Sequence, residues 1–448
     1  MLNPEDALTR LDAALAAART AGADAADAMY VGDGATSVSV RLGKLEDIGR
    51  AEGEEIGIRV FVGRRSASVS SSDLTVGALR EAAERAVAMA RLAPEDPYAG
   101  LAPAELLASG ALPDLDVDDP TPVSAAELKE RAMAAEDAAR AVPGVTNSEG
   151  GGASAGQVVT ALATSTGFRG GKRSTSHGLS ASVLAGSGGD MQRDYAWHST
   201  RYLADLESAE DIGRRAGERA VKRLNPIQLA SAAMPVVFDP RVSASLLGHL
   251  VGAITGSAIA RGTSFLEDKL GQAILPAALS IIDDPLRLRG LRSRAFDGEG
   301  LPVRRMAIID GGVLTSWLME SASARQLGLA PTGHASRGTS GPPGAGPSNL
   351  HLEGGTATPA ELIADIRQGV YVTELIGMGV NGLTGDYSRG ASGFLIENGE
   401  ITRPVAEITI AGNLIDMFAH MIAGNDLEFR HASNAPTLRI DGMMVAGS

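Results

Sequence analysis

Cysteine is absent from the 448 residues. That excludes disulfides, cysteine nucleophiles, iron–sulfur clusters and thiolate–zinc sites. Aromatic residues make up only 4%, so the core must be built from small and branched aliphatic side chains. Basic residues are outnumbered, 40 Lys+Arg against 54 Asp+Glu for a net charge of −14, and no block of five or six cations occurs. Nucleic-acid binding, which requires clustered Lys/Arg to neutralise phosphates, is therefore not expected. Long apolar runs are missing too. The best candidate, Ala244 to Ala260, contains His249 and three glycines, so no membrane span is expected. The start of the chain is acidic and amphipathic, without the basic–apolar order of a signal peptide. A cytoplasmic location is the expectation.

Glycine, by contrast, is abundant: 55 residues, against the roughly 7% typical of proteins. The hydrophobic pattern divides the chain into three units, 1–95, 115–226 and 234–448. Leu8, Leu11, Leu15 and Ala18 predict a helix over 4–22. Alternation in Thr36–Leu42 and Ile56–Val62 predicts strands, and 74–93 returns to helix after a cap at Ser72–Asp73. Prolines and acids in 111–122 mark a linker. Ser124 followed by Glu127 is a capping-box signature opening a helix over 124–142. Strands are expected at Gln157–Thr164, Leu179–Ala185 and Asp194–Leu206, then a helix over 208–224. The third unit reads as strand Pro235–Asp239, one helix over 241–260, and short strands at Arg305–Ile309, Val313–Leu318, Gly369–Ile376, Gly393–Glu397 and Val405–Ile410. Gly333–Ser348 is low in complexity and reads as a mobile loop. The fold class is α+β: two α+β units precede a largely β C-terminal domain with a long helix near its start.

Short motifs point to little chemistry by themselves. Gly377–Gly382 fits G-x-G-x-x-G, but no helical period follows to hold a pyrophosphate, so a glycine-rich β-turn is the better reading. Gly152–Gly156 fits G-x-S-x-G around Ser154, yet a strand-like run follows where the nucleophile motif needs a helix; an ordinary hairpin turn is expected. None of the seven histidines pairs at metal-ligand spacing. Asp416 and His420 fall on one helical face, with Asp426 and His431 close in sequence; a capped or solvated helix end outweighs a metal site there.

The stretch Val370–Leu414 (VYVTELIGMGVNGLTGDYSRGASGFLIENGEITRPVAEITIAGNL) resembles the C-terminal signature of the TldD/PmbA family, in its PmbA (TldE) branch. Residues 40–74, 191–201, 236–271 and 296–305 extend the resemblance along all three units. It implies a cytoplasmic bacterial protein that works with a TldD-type sibling as a zinc-dependent peptidase on small or unfolded peptides. An older view of the branch is as a modulator of DNA gyrase action. In the TldD branch, an H-E-x-x-x-H helix supplies two zinc ligands and the general base, and a cysteine completes the site. Those six positions fall on Gly248–Ala253 here. Gly248 and Ala253 stand where ligands would be and His249 where the base would be. The resemblance therefore implies no zinc and no catalytic residue in this chain, with zinc in the sibling. For His249, a locally packed histidine and a residual role both remain open.

Candidates for peptide binding or subunit contact are Gly377, Gly379, Asn381, Asp386, Tyr387, Ser388 and Arg389. The turn 385–390 gathers a carboxylate, a phenol and a guanidinium, either as a cradle for peptide backbone or as a structural corner. The expected partners are the sibling, an extended peptide and, for the chain alone, a second copy of itself. Two alternatives carry different chemistry. One is a non-proteolytic regulatory or peptide-carrier protein. The other is an autonomous hydrolase built on Asp416/His420 or Ser154.

Overall fold

A computed structural model describes residues 1–447. The N-terminal half is built on one antiparallel sheet of six strands. Helix α1 (Pro4–Ala21) is capped by Asn3, whose side chain accepts the Asp6 N–H, and ends at Gly22 in the left-handed conformation. Strands β1 (Ala25–Arg41), β2 (Lys44–Val62) and β3 (Arg65–Ser71) follow, then α2 (Val76–Leu92). The cap of α2 is Thr75 rather than Ser72–Asp73, because Thr75 Oγ1 reaches the Ala78 N–H. Helix α3 (Ala125–Arg140) opens with the expected Ser124/Glu127 capping box. Strands β4 (Val145–Thr164), β5 (Arg169–Ala185) and β6 (Gln192–Thr200) and helix α4 (Ala209–Lys222) complete the half.

The strand order β3-β2-β1-β4-β5-β6 makes the sheet continuous across the first two sequence units. All four helices pack on the same face. Ala26, Ala28 and Tyr30 of β1 join the α1/α2 core, while Val38 and Val40, on the same side by even spacing, join the α3/α4 core. The opposite face receives the C-terminal half.

That half starts with β7 (Ala232–Phe238), α5 (Pro240–Ala253) and α6 (Gly256–Ala260). The expected single helix over 241–260 is broken at Ile254–Thr255, where the Leu318 N–H bonds the Ile254 carbonyl and Gly256 N–H bonds Leu318. Strands β8 (Ile281–Asp283), β9 (Met306–Asp310) and β10 (Val313–Leu314), helix α7 (Ser321–Leu327), and strands β11 (Ala335–Ser336), β12 (Gly344–Ala345) and β13 (Leu350–Leu352) follow. Then come α8 (Pro359–Ile363), β14 (Gln368–Val380), β15 (Asp386–Glu397), β16 (Glu400–Asn413), α9 (Leu414–Ala419), β17 (Ile422–Ala423), β18 (Ser433–Asn434) and β19 (Leu438–Ala446). The sheet β16-β15-β14-β7-β19-β17 closes on itself, because β19 also pairs with β16. Its core takes Val242, Leu246 and Leu250 of α5 against Tyr387, Ile408 and Ile410.

Two expectations fail because glycine-rich sequence is also compatible with paired strands and buried backbone. Ser154 lies in the middle of β4, not in a hairpin turn. A Cβ on nearby Gly151 would stand 2.2 Å from the Ala132 carbonyl oxygen of α3, so the bare backbone there admits the helix. Gly333–Ser348 is likewise not a loose loop. His334, Ala335 and Arg337 are buried, Arg337 pairs with Asp27 of β1, and Thr339 bonds Glu55 of β2. The segment seats on the N-terminal sheet at Gly57, where a Cβ would fall 2.0 Å from the Thr339 carbonyl oxygen.

Candidate active-site region and its relatives

Helix α5 is fixed at its start by Asp239, whose carboxylate accepts the Arg241 N–H, and by Pro240 in the first turn. Its inner face, Val242, Leu246, Leu250 and Ala253, is buried. Gly248 and Gly252 lie on the outer face, and Cβ atoms added there would meet nothing within 4 Å. His249 lies between the two faces. Its Nε2 is buried without a hydrogen-bond partner among the described residues, and its ring stands edge-on to Tyr387, with centroids 5.8 Å apart. Burial, then the positive charge of Arg389, holds the imidazole below its ordinary pKa range.

The β14–β15 hairpin carries the remaining candidates, and it divides them. Asp386 faces away from Tyr387, as strand alternation requires. Its carboxylate accepts from Thr384 Oγ1 at 2.6 Å and Asn413 Nδ2 at 3.2 Å, and these bonds hold it below the usual carboxylate range. Tyr387 turns inward, 1% exposed. Its hydroxyl has no hydrogen-bond partner among the described residues, and burial pushes the phenol up to about 12 despite the nearby Arg389 charge. Arg389 lies on the Tyr387 side and donates from Nε to the Ile376 carbonyl at 3.4 Å. The expected trio in 385–390 is therefore split. His249 takes the place of Asp386 beside the phenol and the guanidinium. Spacing along one strand separates Asp386 from Tyr387 in advance; nothing in the sequence brings α5 to that strand.

The other candidates build the hairpin tip. Asn381 Oδ1 accepts the Leu383 N–H at 2.9 Å, shaping the turn. Gly377 has φ +78°, at a register shift between Ile376 and Gly379. Gly379 lacks room for a side chain, since a Cβ would lie 2.1 Å from the Ser388 carbonyl oxygen. A strand, not a helix, follows these glycines, as the β-turn reading requires. Ile376, Met378 and Leu383 stand 60%, 85% and 60% exposed. On its other side β14 pairs with β7 only through Val370–Val372. Beyond Val372 that edge meets no strand among the described residues.

The residues of α5 do not fit a zinc ion. Gly248 offers no donor, Ala253 offers a buried methyl, and no cysteine exists. Among the described residues no three His, Asp or Glu side chains are grouped to hold a metal. Asp416 and His420 do not form a side-chain pair, because His420 Nδ1 meets the Asp416 backbone oxygen at 2.9 Å. Asp426 accepts from Thr437, and His431 stacks on Trp197 at 4.5 Å.

Three family models match in order: PmbA/TldA metallopeptidase domain 1 over residues 26–90, the central domain over 118–224, and the C-terminal domain over 231–447. The chain belongs to the PmbA/TldD family. Among PmbA relatives, the metalloprotease PmbA of Escherichia coli O157:H7 is 42% identical over 435 residues, covering 97% of this chain and 94% of that one. A metalloprotease PmbA homologue of Haemophilus influenzae is 36% identical, covering 92% and 90%. A solved structure from Bacteroides thetaiotaomicron, described as a candidate modulator of DNA gyrase, superposes with TM-score 0.92 at 29% identity over the full length of both chains. TldE of Thermococcus kodakarensis shares the fold, with TM-score 0.82 at 21% identity over 98% of this chain and 100% of that one. No helix among the described residues is long and apolar enough to cross a membrane.

Proposed function

We propose that this chain is the PmbA/TldE-type subunit of a two-subunit, cytoplasmic zinc metallopeptidase acting on small or unfolded peptides. The zinc and the general base belong to a TldD-type sibling, and this chain alone is inactive. The carrying observation is α5: Gly248 and Ala253 offer no metal donor and His249 is a lone imidazole, where hydrolysis by bound water needs about three ligands and a base. The contribution of this chain is then a wall of the peptide cleft. The free edge of β14 beyond Val372 offers unpaired backbone groups to an extended peptide, and the bare backbone of Gly248 and Gly252 admits close approach. The exposed Ile376, Met378 and Leu383 suit the sibling interface. Without its sibling the chain is expected to cover these side chains with a second copy of itself.

The test is zinc content and peptidase rate for this chain, the sibling, and their mixture. Zinc following the sibling, with activity needing both, supports the reading. Stoichiometric zinc and cleavage by this chain alone overturns it. A non-proteolytic regulatory or carrier protein is the second reading, favoured by the gyrase-modulator description of the Bacteroides neighbour; an inactive mixture that still binds peptide would select it.

A further inference from the structure

Two connected recesses lie between the central and C-terminal parts of the chain, away from His249. One, of about 670 Å³, is walled by Tyr195 and Trp197 of β6, by Arg215 and Arg219 of α4, and by residues between Asp426 and Ala435. The other, of about 530 Å³, has an apolar wall of Tyr371, Phe394 and Ile401, with Thr373 and Thr402. Arg219, Asp239 and Arg241 line both, so the recesses form one cleft with two lobes. Their volumes are those of small-ligand sites.

Nearly every charge in this cleft is already committed. Asp194 is held by Arg241 and Arg223. Glu207 is shared by Arg215 and Arg430, and Arg430 also faces Glu428 at 3.8 Å. Asp239 caps α5 and accepts the Tyr371 hydroxyl. Asp426 accepts from Thr437. Two cations are different: Lys222, exposed at the end of α4 on the rim of the smaller lobe, and Arg219. The one hydrogen bond of Arg219 among the described residues runs to the Tyr195 carbonyl at 3.2 Å, and it has no ion-pair partner there. Burial, and then the charge of Arg241, lowers its pKa and outweighs the opposing pull of Asp239 and Asp194. A second observation points to a ligand in the same lobe. Thr373 is 6% exposed, and its Oγ1 is buried with no hydrogen-bond partner among the described residues. Buried hydroxyls are rarely left unpaired.

We infer that this cleft binds a carboxylate bearing an apolar chain, with its oxygens on Arg219 and Thr373 and its chain against Tyr371, Phe394 and Ile401. The guanidinium donors that Arg219 does not give to Tyr195, together with one hydroxyl, match two carboxylate oxygens. Asp194 and Asp239 beside them disfavour a more highly charged anion such as phosphate. The C-terminal residue of a peptide and a free branched-chain acid share this chemistry.

Tryptophan provides the probe. The chain has two; Trp317 is 3% exposed and Trp197, at the cleft mouth, is 41% exposed. The full chain is titrated with N-acetyl-alanyl-leucine, its C-terminal amide and 4-methylpentanoate, following fluorescence and heat. The acid should bind at least about tenfold more tightly than the amide, the scale of one charge-assisted hydrogen bond. Arg219→Gln and Thr373→Val should each weaken the acid by about tenfold, and Arg219→Lys should recover only part of the loss. Should Arg219→Gln fail to fold, the near-isosteric Thr373→Val carries the test. Equal binding of 4-methylpentanoate assigns the site to free acids; binding of the dipeptide alone assigns it to peptide C termini. No binding by either carboxylate, equal binding of acid and amide, or indifference to both variants overturns the inference. Because the cleft belongs to this chain alone, these outcomes are separate from the zinc and peptidase measurements.

Discussion

Replacing Arg337 by alanine tests whether a buried ion cluster pins the Gly333–Ser348 segment to the N-terminal sheet. The Asp27 carboxylate lies between two guanidinium groups: Arg59 Nε donates to Oδ2 at 2.9 Å, and Arg337 pairs with Oδ1. The Asp27, Arg59 and Arg337 side chains are 3%, 7% and 0% exposed. Breaking a buried pair by removing one partner typically costs about 3–5 kcal/mol. Arg59 stays to compensate Asp27, so Arg337→Ala should fall below that range, at about 2–3 kcal/mol. Asp27→Asn leaves two buried cations without their shared anion and should cost at least as much. Urea unfolding followed by tryptophan fluorescence measures both, and limited proteolysis should cut Arg337→Ala faster between Gly338 and Gly346. The acid limb of stability is a further check. Burial raises the Asp27 pKa, but Arg59 and Arg337 outweigh it and the net shift is downward. Its stabilising contribution is therefore complete above an unfolded carboxyl pKa of about 4 and is lost as pH falls through the lower folded value. A variant within about 0.5 kcal/mol of the parent, with unchanged proteolysis, would refute the role of the pair; that is the range of an ordinary surface substitution.

Two more predictions rest on the same packing logic. Lys172 donates to the Ser293 carbonyl at 2.9 Å; burial, then Arg201 and Arg294, lowers its pKa to about 8. The folded chain therefore binds fewer protons than the unfolded chain between about pH 8 and 10.5, and this group makes stability rise with pH there. The full swing is at most about 3 kcal/mol, and the residual exposure of Lys172 reduces it. Lys172→Met should flatten that slope in urea titrations at pH 8, 9 and 10; identical slopes would show that the amine is not strained. Gly379→Ala should speed amide exchange at Val380 and Tyr387 by about tenfold or more, because its Cβ meets the Ser388 carbonyl. Unchanged protection would mean that the hairpin tip adjusts freely.

Periodicity located most helices and the strand pattern because α1 through α4 are amphipathic over a small-residue sheet. Ala26, Ala28 and Ala161 do in packing what larger residues do elsewhere. What periodicity missed has a common cause. The end of α5 at Ile254 depends on a backbone bond from Leu318, more than 60 residues away. Burial of Arg337 depends on an aspartate 310 positions earlier. Gly152 and Gly156 lie inside a long paired strand, and G-x-S-x-G spacing by itself does not distinguish a turn from a strand interior. The candidate site was legible in composition but not in geometry. Gly248 and Ala253 carry no metal-donor atom and the chain has no cysteine, which the residues state directly. The facing of His249 against Tyr387 requires α5 to cross the hairpin, a contact that no local pattern encodes.

Strand edges give the two-subunit reading its physical basis. An unpaired apolar edge invites association, and soluble chains commonly remove such edges by closure or charge. The C-terminal sheet removes nearly all of its own by pairing β16 with β19. The N-terminal sheet ends at β6, where Arg193 pairs with Glu149 across the strands, and at the seven-residue β3. The segment of β14 beyond Val372 is managed in neither way. It keeps a free edge, carries Ile376 and Met378 into solvent, and holds its shape through Gly377 and Gly379. A glycine-shaped apolar ribbon of this kind is a liability in an isolated chain. In the two-subunit reading proposed above, burial against a sibling and an extended peptide would give the same ribbon a role in peptide cleavage.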